Sequence, residues 1–312
     1  MIAYTIRRLL WSVVSLALVV IIIFVVMRAA PGDPTLVILG DYATPDAREA
    51  LRVKLGLNDP LHVQFLAYLR KLVTLNFGNS LIRGVPILDI IAVNYPHTLA
   101  LTFASMTIAS LGGILAGVLA SVYVNTRADY CIRALSAIAP SMPAFYMGIL
   151  FILLFGFWVP LFPSYGGGEQ GNFGSILSHL ILPASSLGLV VTGFIARIVR
   201  SSMLDMAHHD FVLVARAKGL PENRVRYYIF RNSIIPVITI IGLYTGTLLG
   251  GAVLTESVYG RPGLGRALVT AVLGRDYPTV EILLALFAVL IVLLNLLVDL
   301  TYAWLDPRIT YT

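Results

Sequence analysis

Apolar residues run through this chain in six blocks, near 9–28, 98–124, 134–160, 177–203, 233–256 and 280–304. Each approaches or exceeds the roughly 20 residues a helix needs to cross a bilayer. The third and fourth blocks are interrupted by "PSMP" (140–143) and "LP" (182–183). Proline is tolerated in a spanning helix where neighbouring groups re-satisfy the freed carbonyl, so kinks are expected there. The first block follows a basic start and lacks a small-residue cleavage site, so it reads as a retained helix and not a signal peptide. Between it and the second block lies a long polar segment. Its "PDAREALRVKLG" (45–56) and "PLHVQFLAYLRKLVTL" (60–75) have helical spacing, with Leu61, Phe65, Leu69 and Leu72 on one stripe and Tyr68 beside them. "PGDP" (31–34) and "NDP" (58–60) are turn signals.

The pattern predicts an all-α integral membrane protein with six spans and a partly helical insertion after the first. The organisation expected is a helix at 1–28, an extracytoplasmic subdomain at 29–97, a five-helix core at 98–304 and a tail at 305–312. Composition agrees: 58% of the 312 residues are hydrophobic and 12% charged, against about 25% charged in soluble domains. The net charge of +6 points to a cytoplasmic excess of basic residues and not to nucleic acid. Arg7 and Arg8 place the N-terminus in the cytoplasm. The loops at 125–133 and 204–232 and the tail then lie there too, carrying Arg127, Arg133, Arg216, Lys218, Arg224 and Arg308 among others. The outer loop at 161–176 carries no Lys or Arg, whereas that at 257–279 carries three arginines.

Familiar chemistry is absent. "GGILAG" (112–117) lies inside a spanning block, where small residues permit close helix packing, and no strand precedes it as a phosphate loop requires. The five histidines are scattered, so no metal is expected, and Cys131 reads as a small apolar filler. No nucleophile–base or paired-carboxylate set converges, so the chain reads as non-catalytic. A carrier driven by protons or sodium keeps ionisable groups deep in its spans, and here these regions are almost free of charge. Asp299, with Asn295 and Tyr302 on one helix face, sits near the cytoplasmic end and reads as an interhelical polar anchor to Arg7, Arg8 or Arg197. A proton relay is the alternative. Glu256 falls at the outer end of the fifth span.

The motor is then another protein, and "DFVLVARAKGLPENRVRYYIFRNSIIPV" (210–237) can dock it. A short amphipathic helix, with Phe211, Val214 and Ala215 on one side, ends at Gly219. Pro221 and Glu222 begin the next. The physics leaves two readings, an ordinary basic loop or a plug gripped by a soluble partner.

This stretch resembles the EAA motif of permease subunits in bacterial ABC importers. Ala215 stands at the third triplet position, Gly219 at the glycine, and Ile229 and Ile235–Pro236 fit the longer ending of the oligopeptide/dipeptide (peptide/nickel/opine) permease branch. Leu213 and Val214 depart from the triplet. "PGDP" (31–34), "LGLNDPL" (55–61), "NFGNSL" (76–81), "YPHTLALT" (95–102), "RPGLGRALVTAVLGRDYP" (261–278) and "LDPRI" (305–309) resemble that family's hallmarks, in its order. The resemblance implies a first-permease subunit of a type I importer in the bacterial inner membrane. Its partners would be a second permease, two ABC ATPases that bind ATP and Mg, and an extracytoplasmic binding protein. Phe211, Ala215, Arg216, Lys218, Gly219, Leu220, Pro221 and Arg224 would form the coupling helix and dock the ATPase. Pro262, Gly263 and Gly265 would form a turn at the outer gate. The solute implied is a di- or oligopeptide, with glutathione, a nickel chelate or an opine as alternatives, and an ion-coupled secondary transporter as the rival class.

Overall fold

The computed structural model describes residues 2–29, 35, 39, 43–54, 56–169 and 171–305. The turn at 31–34 and the tail from 306 onward lie outside the described residues. All regular structure among those described is helical. The long helices are α1 (Ile2–Ala29), α4 (Ile87–Val122), α7 (Phe173–Ala207), α9 (Glu222–Val258) and α11 (Tyr277–Leu305). Each is apolar enough and long enough to cross a membrane. The third apolar block forms a bent pair, α5 (Arg127–Ile138) followed by α6 (Ala144–Phe151), which runs on as π-helical turns through Trp158 and brings the spans to six when the pair is counted as one.

The break in that span is larger than a proline kink. The helix direction bends by 110° between its halves, where Pro140 and Pro143 act together. Ala139–Ser141 tightens into a 3₁₀ turn, and Met142 becomes extended (φ −100°, ψ 135°), as the residue before a proline prefers. Pro183, alone in α7, leaves its helix unbroken.

Two other spans are longer than the hydropathy suggests. α4 starts at Ile87, so 87–97 belongs to the bundle and not to the insertion. α9 starts at Glu222, as the Pro221–Glu222 signal predicts, and runs without a break through the end of the 204–232 loop into the apolar block. The buried residues Val225, Ile229 and Ser233 recur there every four positions beneath a charged surface.

The bundle closes where α4 crosses α7, and glycines set the distance. A Cβ at Gly113 would stand 2.6 Å from Ile195 Cβ, and one at Gly117 2.5 Å from Val199 Cβ. The small residues of "GGILAG" thus make the close helix contact expected of them. Gly117→Leu is expected to reduce the yield of folded protein sharply, by overpacking of about 1–3 kcal/mol or more. Gly112→Ala, whose nearest foreign atom is 3.4 Å away, is expected to be tolerated. Size-exclusion profiles and melting curves in detergent compare the two.

The insertion holds α2 (Pro45–Lys54) and α3 (Leu61–Thr74). Phe65, Tyr68, Leu69 and Leu72 face a cluster with Val20 and Phe24 of α1 and Ile282 of α11. Leu61 alone of the expected stripe is exposed. Arg28 ties the three elements together: it pairs with Glu281, donates to Gln64 at 2.7 Å and lies over the Phe24 ring. Asp276 fixes the following loop, accepting from Ser80 Oγ and the Leu81 amide. Cys131 is exposed on α5 and is no core filler.

Candidate functional site

At the end of the bundle where α1 begins, α8 (Asp210–Ala217) connects α7 to α9. His209 precedes it in extended conformation and Asp210 opens its first turn, where the dipole favours an anion. One face is fastened to the bundle. Val212 and Ala215 are buried in a core with Val199, Met203, Val225 and Ile229, and Phe211 and Leu220 pack beside them. The other face is bare: Leu213 is 65% exposed and Val214 51%.

The helix ends in a Schellman motif. The Gly219 amide donates to Arg216 O at 2.9 Å and the Leu220 amide to Ala215 O at 3.2 Å. Gly219 adopts φ +71°, and a Cβ there would meet nothing within 4 Å. Glycine is therefore required by the backbone and not by crowding. Pro221 caps α9, its carbonyl accepting from the Arg224 amide at 2.8 Å. Across the turn, Arg216 Nη2 donates to Glu222 Oε1 at 2.8 Å, with Nε 3.3 Å from Oε2.

The expected docking set therefore divides. Arg216, Lys218, Gly219, Pro221 and Arg224 are exposed, and Leu220 and Phe211 are half-buried. Ala215 was expected to dock a partner but faces inward, where its small side chain lets α8 lie close to the bundle. Val214 was expected on the same side as Ala215 and faces outward. Leu213 and Val214, the two departures from the motif, are the exposed apolar residues.

At the opposite end, α9 leads through Tyr259–Gly263 into α10 (Leu264–Leu273). Pro262 and Gly263 lie in the turn, Gly265 lies in the first turn of α10, and the region is built around a carboxylate. Glu256 is fully buried. It accepts from Thr98 Oγ1 at 2.6 Å, the Gly265 amide at 2.8 Å and the Arg266 amide at 3.1 Å. It thus caps α10 from outside its own sequence. A Cβ at Gly263 would lie 2.1 Å from its carboxyl carbon, and one at Gly265 2.3 Å from Val253 Cα. Tyr259 locks the turn, its hydroxyl lying within hydrogen-bond distance of Gly148 O (3.1 Å) and Ser186 Oγ (3.2 Å). Burial pushes its phenol up to about 12, so it remains a donor. The Arg261 side chain is also fully buried, and none of its nitrogens has a hydrogen-bond partner among the described residues. Burial pushes its guanidinium down, with the Glu256 charge acting against that.

Asp299 Oδ2 pairs with Arg8 Nη1 at 2.9 Å, one of the partners the sequence offered for an anchor. Asn295 packs toward Gly246, its Oδ1 3.4 Å from the position of a Cβ there. The Tyr302 side chain lies outside the described residues. Half-exposed pairs are worth about 0–1 kcal/mol, and the Arg8 and Asp299 side chains are 45% and 26% exposed. Asp299→Asn is thus expected to lower stability by less than about 1 kcal/mol and to leave transport intact. Loss of uptake with an unchanged melting curve would point instead to a proton relay.

Sequence reasoning missed the buried Asp129, held by Arg200 Nε and Nη2 at 2.7 and 2.9 Å. It also missed the Arg28–Glu281 pair and the role of Glu256. Glu256 and Glu281 were signalled only by the rarity of acids in apolar blocks, and Asp129, in the polar loop 125–133, by nothing. Among the described residues no group of three His, Cys, Asp or Glu is placed to hold a metal.

Fold and site together define a polytopic helical membrane subunit that presents one short, firmly seated helix at one end. Residues 113–311 match the family described as binding-protein-dependent transport system inner membrane component. Residues 1–102 match its companion, the N-terminal part of such membrane components. The chain belongs to this family, and is a permease subunit of a binding-protein-dependent transport system. It is 39% identical, over the whole of both chains, to the oligopeptide transport system permease protein AppB of Bacillus subtilis. It is 38% identical, again over the whole of both, to the glutathione transport system permease protein GsiC of Escherichia coli. The dipeptide transport system permease protein DppB of Alkalihalophilus pseudofirmus is 35% identical at the same coverage. The fold is that of the inward-facing MetNI methionine ABC transporter, with TM-score 0.58 at 21% identity over 70% of this chain and 98% of that one.

Proposed function

We propose that this chain is one of two permease subunits of an ATP-driven importer for di- and oligopeptides. It forms half of the pathway in a bacterial cytoplasmic membrane, with both termini in the cytoplasm. The exposed Leu213–Val214 face of α8 carries the reading. An apolar ridge between charged residues, on a helix rigidly fastened to α7 and α9, suits insertion into a cleft on an ATPase. Arg216 and Lys218 flank the ridge. Movement of that cleft then reaches the spans through Val212 and Ala215. The chain itself is non-catalytic, and ATP and Mg belong to the two ATPases.

The basic residues at the α8 end support the cytoplasmic placement. At the other end, the insertion and the turn around Pro262, Gly263 and Gly265 meet a solute-loaded binding protein, with the turn at the outer gate. The named solutes of the relatives support a peptide substrate, and glutathione is the nearest alternative.

Reconstitution with the second permease, both ATPases and the binding protein tests this. Uptake of a labelled dipeptide is expected to require ATP and the binding protein, and to survive collapse of ion gradients. Uptake by the permeases alone, driven by a proton or sodium gradient, would overturn it. Calorimetry of the binding protein with dipeptides, longer peptides, glutathione and nickel separates the solutes.

A further inference from the structure

Between α5 and α7, at the α8 end of the bundle, lies an open groove of about 580 Å³. Its charged lining is entirely basic: Arg133 from α5, Arg197 and Arg200 from α7. The three arginines are not equally committed. Arg200 donates through Nε and Nη2 to the two carboxylate oxygens of Asp129. Arg197 gives one hydrogen bond, from Nη2 to Ser136 O at 3.1 Å, and lies over the Phe194 ring. Arg133 lies over the Tyr130 ring, with its centre 5.5 Å away. With Asp129 offsetting Arg200, two positive charges face a groove that has no acid in its lining.

Guanidinium groups with unused parallel donors suit oxyanions, phosphate above all. The position suits one source. Arg200 lies seven residues, roughly 10 Å, before the end of α7, whose 35 residues make a helix of about 52 Å, longer than the roughly 40–45 Å of a bilayer with its headgroups, so its last turns reach the headgroup layer. Tyr130 beside it has the amphipathic ring favoured at interfaces. Leu135 and Ile138, also on α5, are exposed and offer apolar surface to an acyl chain. Basic pockets between spans on the cytoplasmic side bind anionic lipid headgroups.

We propose that this groove binds the phosphate of an anionic phospholipid, through Arg133 and Arg197. The choice of leaflet rests on the orientation proposed above, whereas the binding does not, so a detergent experiment keeps the two apart. The purified transporter, washed free of native lipid, is titrated with phosphatidylglycerol, with phosphatidylcholine and with inorganic phosphate. Melting curves and native mass spectrometry provide the readouts. Phosphatidylglycerol is expected to raise the midpoint more than phosphatidylcholine and to remain bound. Arg133→Gln, at an exposed position, is expected to leave the lipid-free midpoint unchanged and lose the selective shift. Arg133→Lys is expected to restore it in part, and Arg197→Gln to lose it as well. Equal shifts from the two lipids, or equal retention of phosphatidylglycerol in both Gln variants, would overturn the proposal. Inorganic phosphate reproducing the shift would also overturn it, leaving a soluble-anion site.

Discussion

Gly219→Leu is expected to leave the protein folded in the membrane and to uncouple it. Nothing crowds the position, so the added side chain points into solvent. What fails is the backbone, because a residue with a Cβ at φ +71° is strained by about 1–2 kcal/mol. That is too little to unfold a bundle held by its spans. Relief of the strain requires the Schellman turn to open, giving up the Gly219 and Leu220 amide bonds to Arg216 and Ala215. α8 would then tilt relative to α9, and the Leu213–Val214 ridge would no longer meet its cleft squarely. Coupling energies between sites are about 1–3 kcal/mol, so uptake should fall roughly tenfold or more while ATP hydrolysis by the complex continues. Gly219→Asn, which tolerates the left-handed region, should retain most uptake. Equal losses in the two variants would contradict the backbone argument.

Glu256→Ala is expected to produce the largest loss of stability. The change leaves the Gly265 and Arg266 amides and the Thr98 hydroxyl without their acceptor in a buried site. It also leaves Arg261 buried without the opposing charge. Each unsatisfied buried donor costs about 1–3 kcal/mol, and an uncompensated buried charge about 3–5 kcal/mol. A loss of several kcal/mol and little recoverable protein follow. Glu256→Gln keeps the shape and should be milder. Adding Arg261→Met to Glu256→Gln should recover part of the loss, because the unbalanced charge is then gone. Strictly additive melting shifts in that double variant would show that the two side chains do not compensate each other.

How far the fold could be read depended on the range of the interaction. Spans are written in local hydropathy, so the five long helices were legible, whereas the sharp bend of the third block was not. The errors lie where polar residues share a helix with a buried stripe. At 222–232 the helix start was legible, but Arg224, Arg226 and Arg231 hid its unbroken continuation into the span through the buried Val225, Ile229 and Ser233. At 87–97, Asn94, Pro96 and His97 suggested an end, although α4 carries Pro96 within it. The Gly219 turn was legible because its chemistry is local. The inward face of α8 was only half legible, since an alanine carries no periodic signal and Ala215 packs on residues of α7 and α9. The Glu256 cap was not legible, because it joins Thr98 to a residue 158 positions away.

The central claim is that the outer face of α8 is the surface a motor subunit grips. Cysteine crosslinking in the assembled complex measures this directly. Cys131 is exposed and is first replaced by serine. Leu213→Cys is then paired with single cysteines along the ATPase cleft, and Val212→Cys, at a fully buried position, serves as the control. The account predicts a crosslink from 213 that changes in yield between nucleotide-free and ATP-bound states, and none from 212. Absence of any crosslink from 213, with the complex intact and transporting, would contradict it.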